Sequence, residues 1–203
     1  RIDGAPGTAA PVLIDFLDTA GSACGSLLPT GNVVDTVDGI DVTCIDNGMP
    51  VVLLRATDLG ATGTETREEL NAAADIRKRI ESIRLHIGAA MNLGDVEEKV
   101  VPKMCLISPP VSGGTINTRC FIPHVCHASI GVLAAVTVGT ACVLPGSVAY
   151  DIAQVPEGNP KAISVEHPTG EFSVELETGE PVDSIPQIRR AALLRTTRRL
   201  MEG

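Results

Sequence analysis

The run Thr118-Arg119-Cys120-Phe121-Ile122-Pro123-His124-Val125-Cys126-His127-Ala128-Ser129-Ile130-Gly131 gathers most of the residues in this chain that can move a proton or grip an anion. A guanidinium presents a planar fork that holds a carboxylate through two parallel hydrogen bonds, so Arg119 is a candidate clamp. Histidine is a side chain suited by its intrinsic chemistry to general acid–base work, which makes His127 a candidate. Cys126 joins it if a helix N-terminus close by stabilises the thiolate. The same two residues also read as a buried apolar thiol and as a ring satisfied by a backbone carbonyl, and spacing alone does not choose. Ser129, Ile130 and Gly131 follow, and if a helix starts there its free N–H groups and the Ser129 hydroxyl form a carboxylate cradle.

Metal chemistry fits these residues poorly. Cys120, His124, Cys126 and His127 are zinc-type ligands, but the C-x3-H-x-C-H spacing has no paired unit. It also falls where strand turns to helix, which strains a tetrahedral site. We expect no metal. No phosphate loop, dinucleotide fingerprint or nucleophile elbow is present, so no cofactor is expected either. Further donors are Asn47, Thr30 and Gly31, in turn-like Asn-Gly and Thr-Gly-Asn contexts, and Lys103 at a strand start. Such motifs are also ordinary turns and strand ends. His167 lies in a hairpin-turn sequence and reads as structural.

The elements that must position these groups follow from periodicity. Val12–Phe16, Val42–Ile45, Val51–Ala56, Lys103–Ser108, Thr115–Phe121, Ala162–Glu166, Phe172–Glu177 and Ile188–Thr197 read as strands, and Gly21–Asp41 as loop. A capping-box pair, Thr66 and Glu69, opens an amphipathic surface helix with Leu70, Ile80, Ile83 and Ile87 on its apolar side. A second helix is expected from about Ser129 to Cys142. It is apolar on every side, so it must be enclosed. The expected fold is α+β: an antiparallel, barrel-like sheet wrapped around a central apolar helix, plus the surface helix.

Composition narrows the function classes. The chain has 203 residues, 44% of them apolar but only 2% aromatic with no Trp, so its core is built from Ala, Val, Ile and Leu. A net charge of −9 without a basic cluster argues against nucleic acid. The Arg189–Arg199 run alternates with Ala, Leu and Thr and reads as the solvated side of a strand. The longest apolar run, Ile130–Leu144, is interrupted by Gly and Thr and is shorter than the roughly 20 residues that cross a bilayer. Cys44, Cys105 and Cys142 lie in apolar runs rather than a disulfide framework, which suggests a reduced, cytoplasmic protein. The start at Arg1 and the stop after Leu200-Met201-Glu202-Gly203 read as the limits of an excised piece.

Several segments together carry a family resemblance. They are Ile2-Asp3-Gly4-Ala5-Pro6-Gly7, Leu27 to Asn32, Val42 to Pro50, Met91 to Asp95, Pro102 to Cys105, Phe121 to Gly131, and Glu166-His167-Pro168-Thr169-Gly170-Glu171-Phe172. In these the chain resembles the 2-methylaconitate isomerase-like family, which shares the diaminopimelate epimerase fold. Within it the residues look most like the branch acting on 4-oxalomesaconate.

The resemblance implies a cofactor-independent isomerase of a small tricarboxylic acid in gallate breakdown. The reaction would be keto–enol tautomerisation of 4-oxalomesaconate to 4-carboxy-2-hydroxymuconate. Isomerisation of 2-methylaconitate or methylitaconate is the alternative on the same scaffold, and a non-catalytic binding module is another. The resemblance further implies that this is a second, C-terminal domain, missing its first domain and a final strand, and inactive alone. A lysine and a cysteine of the missing domain would carry the main proton transfer. Here Asn47, Arg119 and Ser129 to Gly131 would bind substrate, with Cys126 and His127 where the epimerases place a catalytic cysteine. A homodimer is compatible with such an enzyme.

Overall fold

The computed structural model describes residues 3, 7–182 and 185–197. Nine strands form one sheet: β1 (Ala10–Phe16), β2 (Asp35–Val37), β3 (Ile40–Asp46), β4 (Pro50–Arg55), β5 (Lys103–Ser108), β6 (Ile116–Phe121), β7 (Lys161–His167), β8 (Gly170–Thr178) and β9 (Ile188–Thr197). Their order is β1-β9-β8-β7-β6-β5-β4-β3-β2. Among the described residues three α-helices accompany them, α1 (Arg67–Ala72), α2 (Ala74–Ala90) and α3 (Val132–Cys142), with one 3-10 turn at Ala56–Leu59. The result is a sheet-rich α+β fold.

The central strands are buried on both faces, which explains their nearly continuous apolar sequences. Along β4, Val51 and Leu53 enter one core while Val52 and Leu54 enter another. The period of two in a strand sends alternate side chains to opposite faces. The first core contains α3, whose Ala134, Ala135, Val136, Val138, Ala141 and Cys142 are all buried. This helix touches β3, β4, β7, β8 and β9, strands from both halves of the sheet. The second core holds Leu70 of α1 and Ile80, Ile83 and Ile87 of α2 against Val42, Cys44, Met104 and Leu106.

The structure departs from the sequence reading in four places. The sheet is mixed, not antiparallel throughout, because β4 pairs with β5 and β6 with β7 in parallel. Each of those pairs is joined across helices, and a helical crossover returns the chain in the same direction. The surface helix is two helices, broken at Ala73 (φ −75°, ψ 80°). Its capping box forms as expected: Thr66 Oγ1 accepts from Glu69 N–H, and Glu69 Oε2 accepts from Thr66 N–H. The enclosed helix begins at Val132 with Gly131 as N-cap, so Ser129 is not its cap. The 21–41 stretch contains β2 and the first residues of β3. All six cysteines are free and buried. The end of the arginine-bearing strand beyond Thr197, with the closing Leu200–Gly203, lies outside the described residues.

Candidate functional site

Arg119 on β6 lies where two clefts meet. One, about 430 Å³, is lined by Asn117, Glu166, His167, Gly170 and Glu171 among others. The second, about 480 Å³, is lined by Thr66, Arg67, Ala128 and Thr169 among others. Arg119 and Pro168 belong to both walls. Arg119 is only 7% exposed, and that burial draws its pKa down from the usual arginine range. Its Nε donates to Glu65 O at 2.8 Å, and its Nη1 to Asn117 Oδ1 at 2.9 Å and Thr118 O at 2.8 Å. Among the described residues its Nη2 donates to nothing. Asn117 is fixed in turn, with Nδ2 donating to Gly63 O at 2.7 Å and Ser108 Oγ at 2.9 Å. The guanidinium is therefore locked by its neighbours with one nitrogen to spare.

The loop opposite is built around a buried carboxylate. Glu166 accepts from Val111 N–H at 2.7 Å, Ser112 N–H at 2.8 Å and Gly114 N–H at 2.8 Å. Those three bonds take most of its acceptor capacity, and Glu166 makes no hydrogen bond to Arg119 among the described residues, so it shapes the wall. Gly114 is required by this arrangement, since a Cβ there would lie 2.7 Å from Glu166 Cγ.

The segment leading into α3 is stitched to the β7–β8 turn. Thr169 Oγ1 donates to Ala128 O at 2.9 Å, and Ser129 Oγ lies 3.3 Å from His167 Nε2. His167 is half-buried, stacks obliquely on Phe172 at 5.2 Å, and lines the first cleft. Burial lowers its pKa, favouring the neutral ring. Sequence reasoning set this residue aside as structural. The signal that it faces a site is the pairing of its turn with the pre-helix segment, a contact between distant parts of the chain.

The other predicted residues fall in different places. Cys126 is fully buried in the second core, and burial pushes its thiol up to about 11 despite nearby Arg119 and Arg67. The helix-terminus argument for an acidified thiol therefore fails: Cys126 lies five positions before the N-cap and faces the other core. His127 is exposed, and its Nδ1 accepts from Ser129 N–H at 3.0 Å. Ile130 is core, 2% exposed, and only its backbone can serve a ligand. Gly131 is exposed, and no side chain caps the first turn of α3, so the helix tip reaches the surface.

Asn47 is not with this group. It is buried against the side of α3, donating to Thr140 Oγ1 at 2.9 Å and accepting from Thr19 Oγ1 at 2.6 Å. The following Gly48 adopts φ +95° in the β3–β4 turn, a conformation glycine takes freely. Thr30 and Gly31 form a self-contained turn, with Thr30 Oγ1 donating to Asp35 Oδ2 at 2.7 Å. Lys103 is buried with Nζ donating to Val100 O at 2.7 Å, and burial lowers its pKa. Among the described residues, no three His, Cys, Asp or Glu side chains gather in a way that could hold a metal ion. No helix there is long and apolar enough to cross a membrane.

Known proteins give this geometry a context. The family model described as "PrpF protein" matches residues 1–203. The chain is 57% identical over 202 residues to a (4E)-oxalomesaconate Delta-isomerase of Novosphingobium sp. (strain KA1), covering all of this chain and 56% of that protein. It is 55% identical over 203 residues to a 4-oxalomesaconate tautomerase of Pseudomonas putida, covering all of this chain and 55% of that protein. Among solved structures, that of a methylitaconate-delta-isomerase superposes with a TM-score of 0.88 at 31% identity, over all of this chain and 57% of the other. The chain thus spans little more than half the length of these relatives. The matches run across the whole chain, and the expected restriction to a C-terminal domain is not borne out. The absent first domain and the homodimer find no support in them either.

Proposed function

We propose, since this chain belongs to the PrpF family, that it supplies the carboxylate-gripping wall of an isomerase that tautomerises 4-oxalomesaconate. The observation that carries the reading is the buried, three-times-bonded Arg119 with its Nη2 left over at the junction of two clefts. A guanidinium so fixed loses little further entropy on taking a carboxylate. The chain is acidic overall, at −9, so the substrate's charge must be met locally and not by the general field. Two relatives above 50% identity are named for oxalomesaconate.

In the reaction a carbon-bound proton leaves to a base, and the carbonyl oxygen gains a proton as the enol forms. Atoms and electrons are conserved, and no redox partner is needed. Negative charge grows on that oxygen in the transition state, so fixed donors contribute most. Arg119 holds a carboxylate, and the N–H groups of α3's first turn, with Ser129 and Gly131, add donors at the surface tip. His127 is exposed and available for proton exchange, whereas Cys126 is too deeply buried to lead it. We read the fold as the diaminopimelate epimerase arrangement, a barrel-like sheet around α3, from that helix's contacts with both halves of the sheet. Six unpaired, buried cysteines favour a reducing, cytoplasmic setting.

The test is turnover by the full-length protein, followed by the ultraviolet absorbance of the conjugated dienol. We expect 4-oxalomesaconate to be converted at least tenfold faster than 2-methylaconitate or methylitaconate. Turnover of either of those acids but not of 4-oxalomesaconate would reject the assignment.

A further inference from the structure

We propose that His167 is a positioning residue that aims the Ser129 hydroxyl at the oxygen where charge develops, making Ser129 a catalytic hydrogen-bond donor. The inference rests on the tautomerase reading, but it concerns residues to which that reading gives no such pairing. Its basis is a directional chain of hydrogen bonds. Thr169 N–H donates to His167 Nδ1 at 3.3 Å, which makes Nδ1 an acceptor. Thr169 Oγ1, also 3.3 Å from Nδ1, has its own proton committed to Ala128 O at 2.9 Å, so it supplies no competing donor. A neutral imidazole with Nδ1 as acceptor carries its proton on Nε2. That Nε2–H then donates to Ser129 Oγ at 3.3 Å. With a lone pair so occupied, and with no other hydrogen bond from this hydroxyl among the described residues, the serine O–H is left to donate to a ligand. Ser129 is not itself on a cleft wall, but His167, 3.3 Å from its hydroxyl, lines the cleft that has Arg119 on its wall.

The chain works only while the ring is neutral, because an imidazolium would turn Nδ1 into a second donor facing Thr169 N–H. Burial favours the neutral form, and Arg119 and His127 push the same way, while Asp3 and Glu171 oppose it. Glu166 also lines the cleft, its oxygens accepting three backbone N–H groups. The rest of the pre-helix segment is equally fixed, since Ser129 N–H is held by His127 Nδ1 at 3.0 Å. A donor whose direction is set before substrate arrives stabilises an oxyanion without reorganisation.

The experiment compares full-length wild type with Ser129→Ala, His167→Ala, His167→Gln and the double Ser129→Ala/His167→Ala on 4-oxalomesaconate. Loss of one preorganised donor lowers kcat by about a hundredfold, so Ser129→Ala should fall by that order with KM changed less than threefold. His167→Ala should fall at least tenfold, and the double variant no further than Ser129→Ala alone. Glutamine places an amide N–H near the Nε2 position, so His167→Gln should recover most of the activity and lose the acidic limb of the kcat profile. Ser129→Ala at wild-type kcat, or His167→Gln as poor as His167→Ala, overturns the proposal. A wild type that does not turn over this acid overturns the tautomerase reading beneath it, a result told apart by needing no variant.

Discussion

A buried arginine and a buried glutamate sit on the same cleft without pairing with each other, and this division decides what each can do. Glu166 accepts three backbone N–H groups of the 111–114 stretch on its two oxygens. Hydrogen bonds to a charged group are each worth about 1.5–3 kcal/mol, and leaving their buried partners unsatisfied adds a further penalty. Glu166→Ala should therefore lower stability by about 3 kcal/mol in chemical denaturation, and Glu166→Gln by less, since one oxygen remains. An unchanged midpoint for Glu166→Ala would show that the loop holds itself. Residue types announced part of this site. Arg119 stands out in the sequence as a candidate clamp because guanidinium chemistry is specific, and the structure places it on the walls of two clefts. The place of His167 on the cleft wall is not legible in the sequence, since its contact with Ser129 depends on two segments meeting that lie far apart in the chain. Cys126 stays open between two readings in the sequence, because a thiol just upstream of an apolar helix looks the same whether it faces the helix tip or the opposite core, and the structure places it in the core.

The elements were easier to read than their pairing. Lys103–Ser108 and Ile188–Thr197 appear with the expected bounds, since β-branched and apolar runs between turn residues mark buried strands. The direction of pairing was misjudged, although a strand–helix–strand order is itself the signal for a parallel pair. The start of α3 was placed three residues early, because Ser129 has the chemistry of a cap while the backbone uses Gly131. The packing of α3 carries its own test. A Cβ added at Gly139 would meet Ile163 Cγ2 at 3.4 Å and Leu176 Cδ1 at 3.6 Å, ordinary contact distances. Alanine is a better helix former than glycine by roughly 1 kcal/mol, so Gly139→Ala should leave the thermal midpoint unchanged or raise it. At Gly88 in α2 the added Cβ would approach Val96 Cγ1 and Cγ2 to 2.6 Å. Gly88→Ala should instead destabilise, by about 1–3 kcal/mol. Equal effects at the two glycines would refute this picture of which helix face is sealed.

At the scale of the whole molecule, one sheet with cores on both its faces delivers a rigid arginine to the junction of two clefts and the tip of an enclosed helix to the surface nearby. The apolar-all-round sequence of α3 already required such an enclosure, and that expectation holds for its buried positions. The central claim is that this assembly grips a carboxylate of an unsaturated tricarboxylic acid through Arg119. Lysine keeps the charge but loses the planar fork and the bonds to Asn117, Thr118 and Glu65 that aim it. The most direct measurement is kcat/KM for 4-oxalomesaconate in full-length Arg119→Lys against wild type, with the fold of both checked by circular dichroism. The account predicts a loss of about a hundredfold, equivalent to about 2.7 kcal/mol, carried mainly by a raised KM. A correctly folded Arg119→Lys protein with wild-type kcat/KM would contradict it.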